Sequence, residues 1–233
     1  EQLLEPGHFF ENKTLNKEQE LDFIRKLDHI SDESKSKLIS CLSEIPDLYS
    51  GKEFSDVHFP DHIFSHDIEL LDGAPPSLSA KPFPVEGIRL AQLKETIAEL
   101  VDQKVLVSGD SEFVSPCFYV LKKPGKDQTA ASGRLCFDYR KLNSIIKPLN
   151  FPLAHLRQYF DSASQYDLFS LVDVKNAFLS IPLTPRAQKL AAIVTPFGTY
   201  LPTRTPFGLK SSPAAFNFAL SKVLGDLPYA QAY

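Results

Sequence analysis

The stretch LVDVKNAFLSIPL, residues 171–183, places one carboxylate, Asp173, inside an apolar run. Short apolar runs predict a buried strand, which we expect at 166–174, followed by a short turn of helix at 176–180 and a turn at Pro182. Aspartate is depleted in strands, and a buried charge is costly unless it is paired or bound to metal. Asp173 is therefore predicted to serve chemistry, although a strand-end aspartate that accepts backbone hydrogen bonds would give the same pattern.

Outward from this segment, helices and strands are mixed without regular alternation, which favours an α+β fold over a doubly wound sheet. CFYVL (117–121) and RLCFDY (134–139) flank a loop of turn residues and predict a hairpin with a long tip. The other predicted elements are two short helices within 1–50, helices from Gly87 to about Gln103 and at 153–160, strands near 190–194 and 199–201, and a last helix from Ser211 or Ser212 to about Leu224.

The charged residues are unevenly divided along the chain. Residues 1–80 carry 7 Lys plus Arg and 17 Asp plus Glu, whereas residues 81–233 carry 18 and 12. We interpret 1–80 as an acidic connector with two short helices and an extended linker, and 81–233 as the main domain. Seven cations in 117–150 face only two acids, which predicts a nucleic-acid or phosphate partner, with an ordinary charged surface as the alternative.

Several classes of protein are disfavoured by simple counts. Cys41, Cys117 and Cys136 are few and far apart, which argues against a disulfide framework and favours a reducing intracellular compartment. No window approaches the roughly 20 apolar residues of a membrane span, so no membrane partner is expected. The first residues lack the pattern of a signal peptide and the chain has no Met, which predicts a piece of a longer, non-secreted polypeptide.

One histidine pattern has the spacing of a metal site. His58, His62 and His66 recur every four residues, a spacing that suits zinc when it falls on a helix. Pro60 disfavours a helix there, so a zinc site is not expected.

Three segments stand in a fixed order: RLCFDYRKLN (134–143), LVDVKNAFLSIPL (171–183) and TPFGLKSSPAAF (205–216). Together they resemble the reverse transcriptase of gypsy-type (Metaviridae-like) LTR-retrotransposon pol polyproteins, and the resemblance covers roughly 60–233. It implies the fingers and partial palm of a right-hand polymerase, and RNA-directed DNA polymerase activity in the full-length parent. The family's last palm motif is an aromatic, one variable residue and two aspartates. Tyr233 resembles that aromatic, so the resemblance implies a fold truncated before this motif and a fragment that is inactive alone.

The resemblance also implies a metal site. Asp173 would bridge two Mg²⁺ ions, with Mn²⁺ as an alternative, and the backbone carbonyl of Val174 would bind one of them. Magnesium prefers hard oxygen ligands, which these groups provide. Asp138 is interpreted as a structural hydrogen-bonding residue and not as a metal ligand.

Further roles carry over from the family to matching positions. Lys123 and Arg134 would grip the triphosphate of a deoxynucleotide, and Phe178 would exclude a ribose 2′-hydroxyl; each also fits a simpler role, as a surface cation or a core aromatic. Gly208 would allow close approach of the backbone to the nascent base pair, or simply form a turn before a helix. The implied nucleotide-binding residues are Lys123, Arg134, Ala177, Phe178, Phe207 and Gly208, and the implied nucleic-acid contacts are Arg140, Lys141 and Ser212.

The expected partners are deoxynucleoside triphosphates, an RNA or DNA template with its primer, and the remainder of the pol polyprotein. The expected location is a cytoplasmic particle or the nucleus. Two other hypotheses remain open: a non-catalytic, nucleic-acid-binding relic of a retrotransposon, and a soluble α+β domain that uses the palm architecture differently, such as a nucleotide cyclase. The long basic hairpin upstream of Asp173 argues against the cyclase.

Overall fold

The structure is a computed structural model that describes residues 17–28, 30–44, 59, 63–121, 133–151, 157, 160, 161, 164, 166, 174, 176–225 and 227. The chain divides into two compact units, Glu1–Asp56 and Val57–Tyr233. The first unit contains helices α1 (Lys17–Arg25) and α2 (Asp32–Ser43), which confirms the two predicted short helices. The Ser31 hydroxyl accepts a hydrogen bond from the Ser34 amide at 3.2 Å and so caps α2.

The second unit is an α+β domain, as predicted. Its elements in chain order are α3 (Gly87–Asp102), β1 (Leu106–Ser108), β2 (Ser115–Leu121), β3 (Gly133–Phe137), α4 (Arg140–Ile145), a 3₁₀ helix (Ala177–Ser180), α5 (Pro185–Leu190), β4 (Ile193–Thr195), β5 (Gly198–Pro202) and α6 (Ser212–Leu224).

Among the described residues, five strands form one mixed sheet in the order β1-β5-β4-β2-β3. The β2–β3 hairpin is antiparallel, with Phe118 opposite Cys136, and it confirms the hairpin predicted from the sequence. Strands β2 and β4 pair in parallel, whereas β4–β5 and β1–β5 pair antiparallel. A parallel pair needs a long connection between its strands. Here α4, the 3₁₀ helix and α5 lie between β3 and β4, which gives β4 room to pair in parallel with β2.

The core of this unit lies where α3 packs on the sheet. Leu93 and Ile97 of α3 are buried with Leu106 and Ile193 of the strands. Ile68 is also buried in this cluster, and burial of such a side chain contributes roughly 1.5–3 kcal/mol. The compact unit consequently begins before position 81, the boundary that composition and charge suggested.

Two helices were not predicted from the sequence. Only Asp138 and Tyr139 separate the end of β3 from the start of helix α4, where the strand pattern was expected to continue to Tyr139. Helix α5 has Thr184 as its N-cap, whose hydroxyl accepts from the Ala187 amide, and Pro185 at its first position. That combination is a recognised helix-start signal. The predicted helix at 153–160 and strand at 166–174 fall mostly outside the described residues. Within the described part of the chain, no helix combines the length and the apolar character that crossing a bilayer requires.

Candidate functional site

The turn before α6 is the point where two of the three sequence motifs meet. Gly208 has a backbone φ of +93°, which a residue with a side chain adopts only under strain. A Cβ atom at this position would lie 3.3 Å from the Phe137 carbonyl oxygen and 3.6 Å from the Tyr139 ring. The backbone conformation therefore favours glycine, and a side chain at this position would crowd the Phe137 carbonyl of RLCFDYRKLN.

Asn143 joins the same two motifs by hydrogen bonds. Its side-chain amide nitrogen donates to the Gly208 carbonyl at 2.8 Å, and its amide oxygen accepts from the Lys210 backbone N–H at 2.9 Å. A carboxamide can donate and accept in this way because it carries both an NH₂ group and a carbonyl oxygen. Asn143 was not among the predicted site residues, although its place at the end of FDYRKLN was a usable signal.

Tyr139 forms the floor beneath this junction. It is 1% exposed, and its hydroxyl donates to the Ala191 carbonyl at 2.8 Å. Burial raises the pKa of Tyr139 well above its ordinary value, so the phenol stays protonated. The ring thereby ties the end of RLCFDYRKLN to the segment between α5 and β4.

Aromatic rings connect the remaining motif to this junction. Phe178, in the 3₁₀ helix that follows the Asp173 segment, packs against Phe207 with ring centroids 5.4 Å apart. It also meets Phe216 of α6 edge-on at 6.1 Å. Ala177 and Phe178 are half-buried, whereas Phe207 is 44% exposed. The structure thus brings the predicted residues Ala177, Phe178, Phe207 and Gly208 into one region.

Arg134 lies on the outer face of the hairpin. It pairs with Val120, so by strand alternation it shares a face with Phe118 and Cys136, and it is exposed. Leu135 and Phe137 point the other way and pack against the core. The guanidinium is consequently free of the core, while Lys123, predicted to act with it, lies outside the described residues.

Asp138 and Arg140 form a bidentate ion pair at the start of α4. The Arg140 Nε donates to Oδ1 at 2.8 Å and Nη2 donates to Oδ2 at 2.7 Å. Hydrogen bonding from Arg140 lowers the pKa of Asp138, and the same bond raises the pKa of Arg140. The Asp138 carboxylate is 13% exposed and accepts hydrogen bonds from Arg140, whereas the Arg140 side chain is 86% exposed and remains open to solvent.

A cleft of about 610 Å³ lies next to the junction of Tyr139, Asn143 and Gly208. Its walls combine aromatic rings of the hairpin with the Asp138–Arg140 pair and Gly208. A neighbouring cleft of about 560 Å³ is bordered by Arg140 and Lys141 together with Lys81. Aromatic walls with cations at the rim suit a ligand that carries flat rings and phosphates.

Ser212 occupies a different setting from the one its predicted role requires. It is fully buried, its hydroxyl donates to the Pro206 carbonyl at 3.0 Å, and its amide donates to the Leu209 carbonyl at 3.2 Å. A direct contact between Ser212 and nucleic acid would require this turn to open. The residue instead holds Pro206 in place next to Phe207.

The predicted metal site is only partly within the described residues. Val174 is described and is 39% exposed, whereas Asp173 lies outside. Within the described ranges, no three His, Cys, Asp or Glu side chains come together as a metal site. Of the three spaced histidines only His66 is described. It is buried, and burial lowers its pKa to about 4.

Residues 121–232 match the family described as reverse transcriptase (RNA-dependent DNA polymerase). Residues 121–232 form a reverse transcriptase region. The chain is 28% identical over 211 residues to the Retrovirus-related Pol polyprotein from transposon 297 of Drosophila melanogaster, a match that covers 90% of this chain and 19% of that protein. It is also 28% identical over 153 residues to the Pro-Pol polyprotein of simian foamy virus type 1, covering 66% of this chain and 13% of that protein.

These similarities confirm the predicted resemblance to the reverse transcriptase region of gypsy-type retrotransposon polyproteins. The chain spans about a fifth or less of the length of these relatives. The reverse transcriptase region also shares its fold with solved structures. A foamy-viral protease–reverse transcriptase in complex with double-stranded DNA superposes with a TM-score of 0.68 at 21% identity, covering 94% of this chain and 37% of that one. A second, in complex with an RNA/DNA hybrid, gives a TM-score of 0.67 at 23% identity, covering 91% and 28%. The α+β fingers and partial palm are thereby confirmed.

Proposed function

We propose that this reverse transcriptase region is the fingers and part of the palm of an RNA-directed DNA polymerase that adds deoxynucleotides to a primer. The observation that supports this most is the junction at Gly208, where RLCFDYRKLN meets the turn before α6 through Asn143, and where Phe207 meets Phe178. Three separate motifs of one polymerase family thus contribute to a single site.

The reaction is attack of a primer 3′-hydroxyl on the α-phosphate of a nucleotide, which forms one P–O bond and breaks the bond to pyrophosphate. Lys123 and Arg134 would bind the triphosphate, Lys as a point charge and Arg as a planar fork. The exposed position of Arg134 on the outer face of the hairpin agrees with this role. Both side chains would neutralise charge on the leaving phosphates and orient the α-phosphate for attack.

Phe178 and Phe207 would form the wall beside the sugar and base. A ring packed against two other rings cannot easily move aside, so Phe178 would leave no room for a ribose 2′-hydroxyl. Gly208, without a side chain, would let the nascent base pair approach the backbone. Ala177, next to Phe178, adds no bulk that would narrow the site.

Asp173 and the Val174 carbonyl are hard oxygen donors of the kind magnesium prefers, so the donor set fits the implied ions. When bound, two such ions would supply Lewis-acid stabilisation of the attacking and leaving oxygens. One carboxylate and one carbonyl do not complete such a site. Residues 1–233 are accordingly proposed to be inactive alone, with the remaining carboxylates supplied by other parts of the polyprotein.

The proposed partners are deoxynucleoside triphosphates, a primed RNA or DNA template, and the rest of the polyprotein. The foamy-viral structures of similar fold are in complex with double-stranded DNA and with an RNA/DNA hybrid, which supports a duplex partner here. Arg140 and Lys141, both exposed at the start of α4, would contact the template backbone. The thiols of Cys41, Cys117 and Cys136 are all free, which supports an intracellular setting in a cytoplasmic particle or the nucleus.

Primer extension tests this function. Residues 1–233 and the longest open reading frame that contains them would each be given a primed RNA template, Mg²⁺ and the four deoxynucleotides. We expect templated extension by the longer protein and none by residues 1–233. Salt-sensitive binding of the primed template without extension by either protein would favour the non-catalytic relic instead.

A further inference from the structure

His66 belongs to a segment, residues 63–68, that lies outside the family match, and it forms a parallel β-bridge with Leu183, which follows the 3₁₀ helix. Its amide donates to the Pro182 carbonyl at 2.8 Å, and its carbonyl accepts from the Thr184 amide at 3.1 Å. We call residues 63–68 the His66 segment. Nothing in the three sequence motifs points to it.

The other side of the same chain pairs with residues 203–205. The Leu183 amide donates to the Thr203 carbonyl at 2.9 Å, and the Thr205 amide donates to the Ile181 carbonyl at 2.8 Å. Residues 181–184 therefore form the middle of three extended segments, with the His66 segment on one side and residues 203–205 on the other.

The His66 side chain spans this middle segment. Its Nδ1 lies 3.1 Å from the Thr205 hydroxyl oxygen, 139 positions further along the chain. Both residues are buried, at 1% and 0% exposure. The pair is thus a side-chain link between the two outer segments, made where water does not compete for the hydrogen bond.

One nitrogen of the His66 imidazole is buried without a hydrogen bond. This atom is Nε2, and no partner for it is found among the described residues. Burial lowers the pKa of His66 to about 4, against the nearby Asp67 carboxylate that would raise it, so the ring is neutral near pH 7. A smaller apolar side chain would avoid the unpartnered nitrogen, and such exceptions call for an explanation.

The three segments lead directly into the proposed nucleotide wall. Ile181 follows the 3₁₀ helix that carries Phe178, and Thr205 precedes Pro206 and Phe207. The distance between the Phe178 and Phe207 rings therefore depends on how residues 181 and 205 are held together. A shift of either segment would open the 5.4 Å contact between the rings.

We propose that His66 is a positioning residue whose bond to Thr205 fixes the Phe178–Phe207 wall, and thereby the binding of the incoming deoxynucleotide. The part that concerns the deoxynucleotide rests on the proposed polymerase function. The part that concerns the wall does not, because it is a statement about the hydrogen-bonded segments alone. The two parts are tested by different measurements.

The first measurement is amide hydrogen exchange by NMR on residues 1–233. Thr205→Val keeps the shape of the side chain but removes the hydroxyl, and it should speed exchange of the backbone amides at positions 183 and 205 roughly tenfold. The Ser115 amide, which donates to the Ala192 carbonyl at 2.9 Å, serves as the reference and should be unchanged. An equal increase at Ser115, or no increase at positions 183 and 205, would overturn the proposal.

Two further variants separate the link from general loss of stability. Thr203→Val is the matched control, because the Thr203 hydroxyl donates to the Lys104 carbonyl at 2.7 Å and not to His66, so exchange at Leu183 should stay near the wild-type rate. His66→Asn retains an amide group near the position of Nδ1, so the backbone amides at positions 183 and 205 should keep exchanging slowly. In His66→Phe, which cannot form the hydrogen bond, they should exchange faster. If His66→Phe fails to fold, Thr205→Val alone decides the result.

The second measurement uses the longest open reading frame that contains the chain. Thr205→Val should raise the KM for deoxynucleotide roughly tenfold with little change in kcat, because the binding wall is displaced while the reacting groups are not. Thr203→Val should leave both parameters unchanged. A fall in kcat at constant KM would contradict a positioning role, whereas a protein that extends no primer at all would count against the polymerase function and leave the exchange result standing.

Discussion

Gly208 is the position where the smallest change should have a measurable effect. Gly208→Ala should destabilise the protein by about 2 kcal/mol, because the left-handed backbone costs about 1–2 kcal/mol and the new methyl group would crowd the Phe137 carbonyl. Urea unfolding measures this change. Gly73→Ala is the matched control, since Gly73 has a φ of +80° with open space around it. Equal losses in the two variants would show that the close contact contributes nothing.

Phe178 should decide which sugar is accepted. In the longest open reading frame, Phe178→Val should increase ribonucleotide incorporation relative to deoxynucleotide by roughly 10- to 100-fold, because removal of the ring leaves space for a 2′-hydroxyl. Competing incorporation of matched nucleotides measures the ratio. Phe197→Val, on the exposed turn between β4 and β5, should leave the ratio as it is. Unchanged sugar selectivity in Phe178→Val would refute the assigned role.

His66 should make stability depend on pH. Its pKa is about 4 in the folded protein and near 6.5 when exposed, so between these values the unfolded chain binds more protons. Stability should therefore fall as pH decreases through this window, by on the order of 3 kcal/mol at its lower end. The pKa values of Asp67 and Asp138 are lowered in the folded protein, so the stability that these two carboxylates contribute is also lost as pH falls, at still lower pH.

Urea unfolding from about pH 7 to about pH 4 measures this dependence. His66→Asn cannot titrate at this position, so its stability should decline less over the window, while the other five histidines are the same in both proteins. Identical pH dependence in the two proteins would mean that His66 is not held neutral by burial.

At the scale of elements, the link between α4 and the turn before α6 should be strong. Asn143→Leu removes both hydrogen bonds and leaves the Gly208 carbonyl and the Lys210 amide without this partner, which should cost about 1–3 kcal/mol in the free energy of unfolding. Ser144→Ala, which removes only a bond within the helix turn to the Lys141 carbonyl, is the control. A loss in Asn143→Leu no larger than in the control would argue against the link.

A helix or strand could be predicted from the sequence when the residues within it carry a clear pattern of their own. The β2–β3 hairpin and α3 follow from residues within each element, and both were predicted. Helix α4 was missed because its six residues, RKLNSI, are too few to show a helical period and follow directly on the β-rich run RLCFDY. Helix α5 was missed although Thr184 and Pro185 form a recognised start signal, because its six residues are too few to show a helical period.

The sequence predicted several residues of the site, but it did not predict which of them contact each other. Phe178, Phe207 and Gly208 were identified through family motifs, and the structure brings them together. The bond between His66 and Thr205 spans 139 positions, and no local pattern indicates it. Such pairs follow from the path of the chain and not from propensity or periodicity.

At the scale of the whole molecule, charge and fold divide the chain differently. The acidic excess extends through residue 80, whereas the compact unit begins at Val57 because apolar residues such as Ile68 enter its core. The distribution of charged residues indicates what the surface can bind, whereas the buried apolar side chains show which residues fold together as one unit. A boundary drawn from charge therefore leaves out the His66 segment, which pairs with residues 182–184.

Under the proposed function, Asp173 supplies a carboxylate to the catalytic centre of a DNA polymerase. The most direct test is the rate of primer extension by the longest open reading frame that contains the chain, with Asp173→Asn compared with Asp110→Asn at an exposed carboxylate. We predict that Asp173→Asn lowers the rate about a thousandfold or more, since several kcal/mol of transition-state stabilisation are lost, and that Asp110→Asn has no effect. Extension by Asp173→Asn at the wild-type rate would contradict the account.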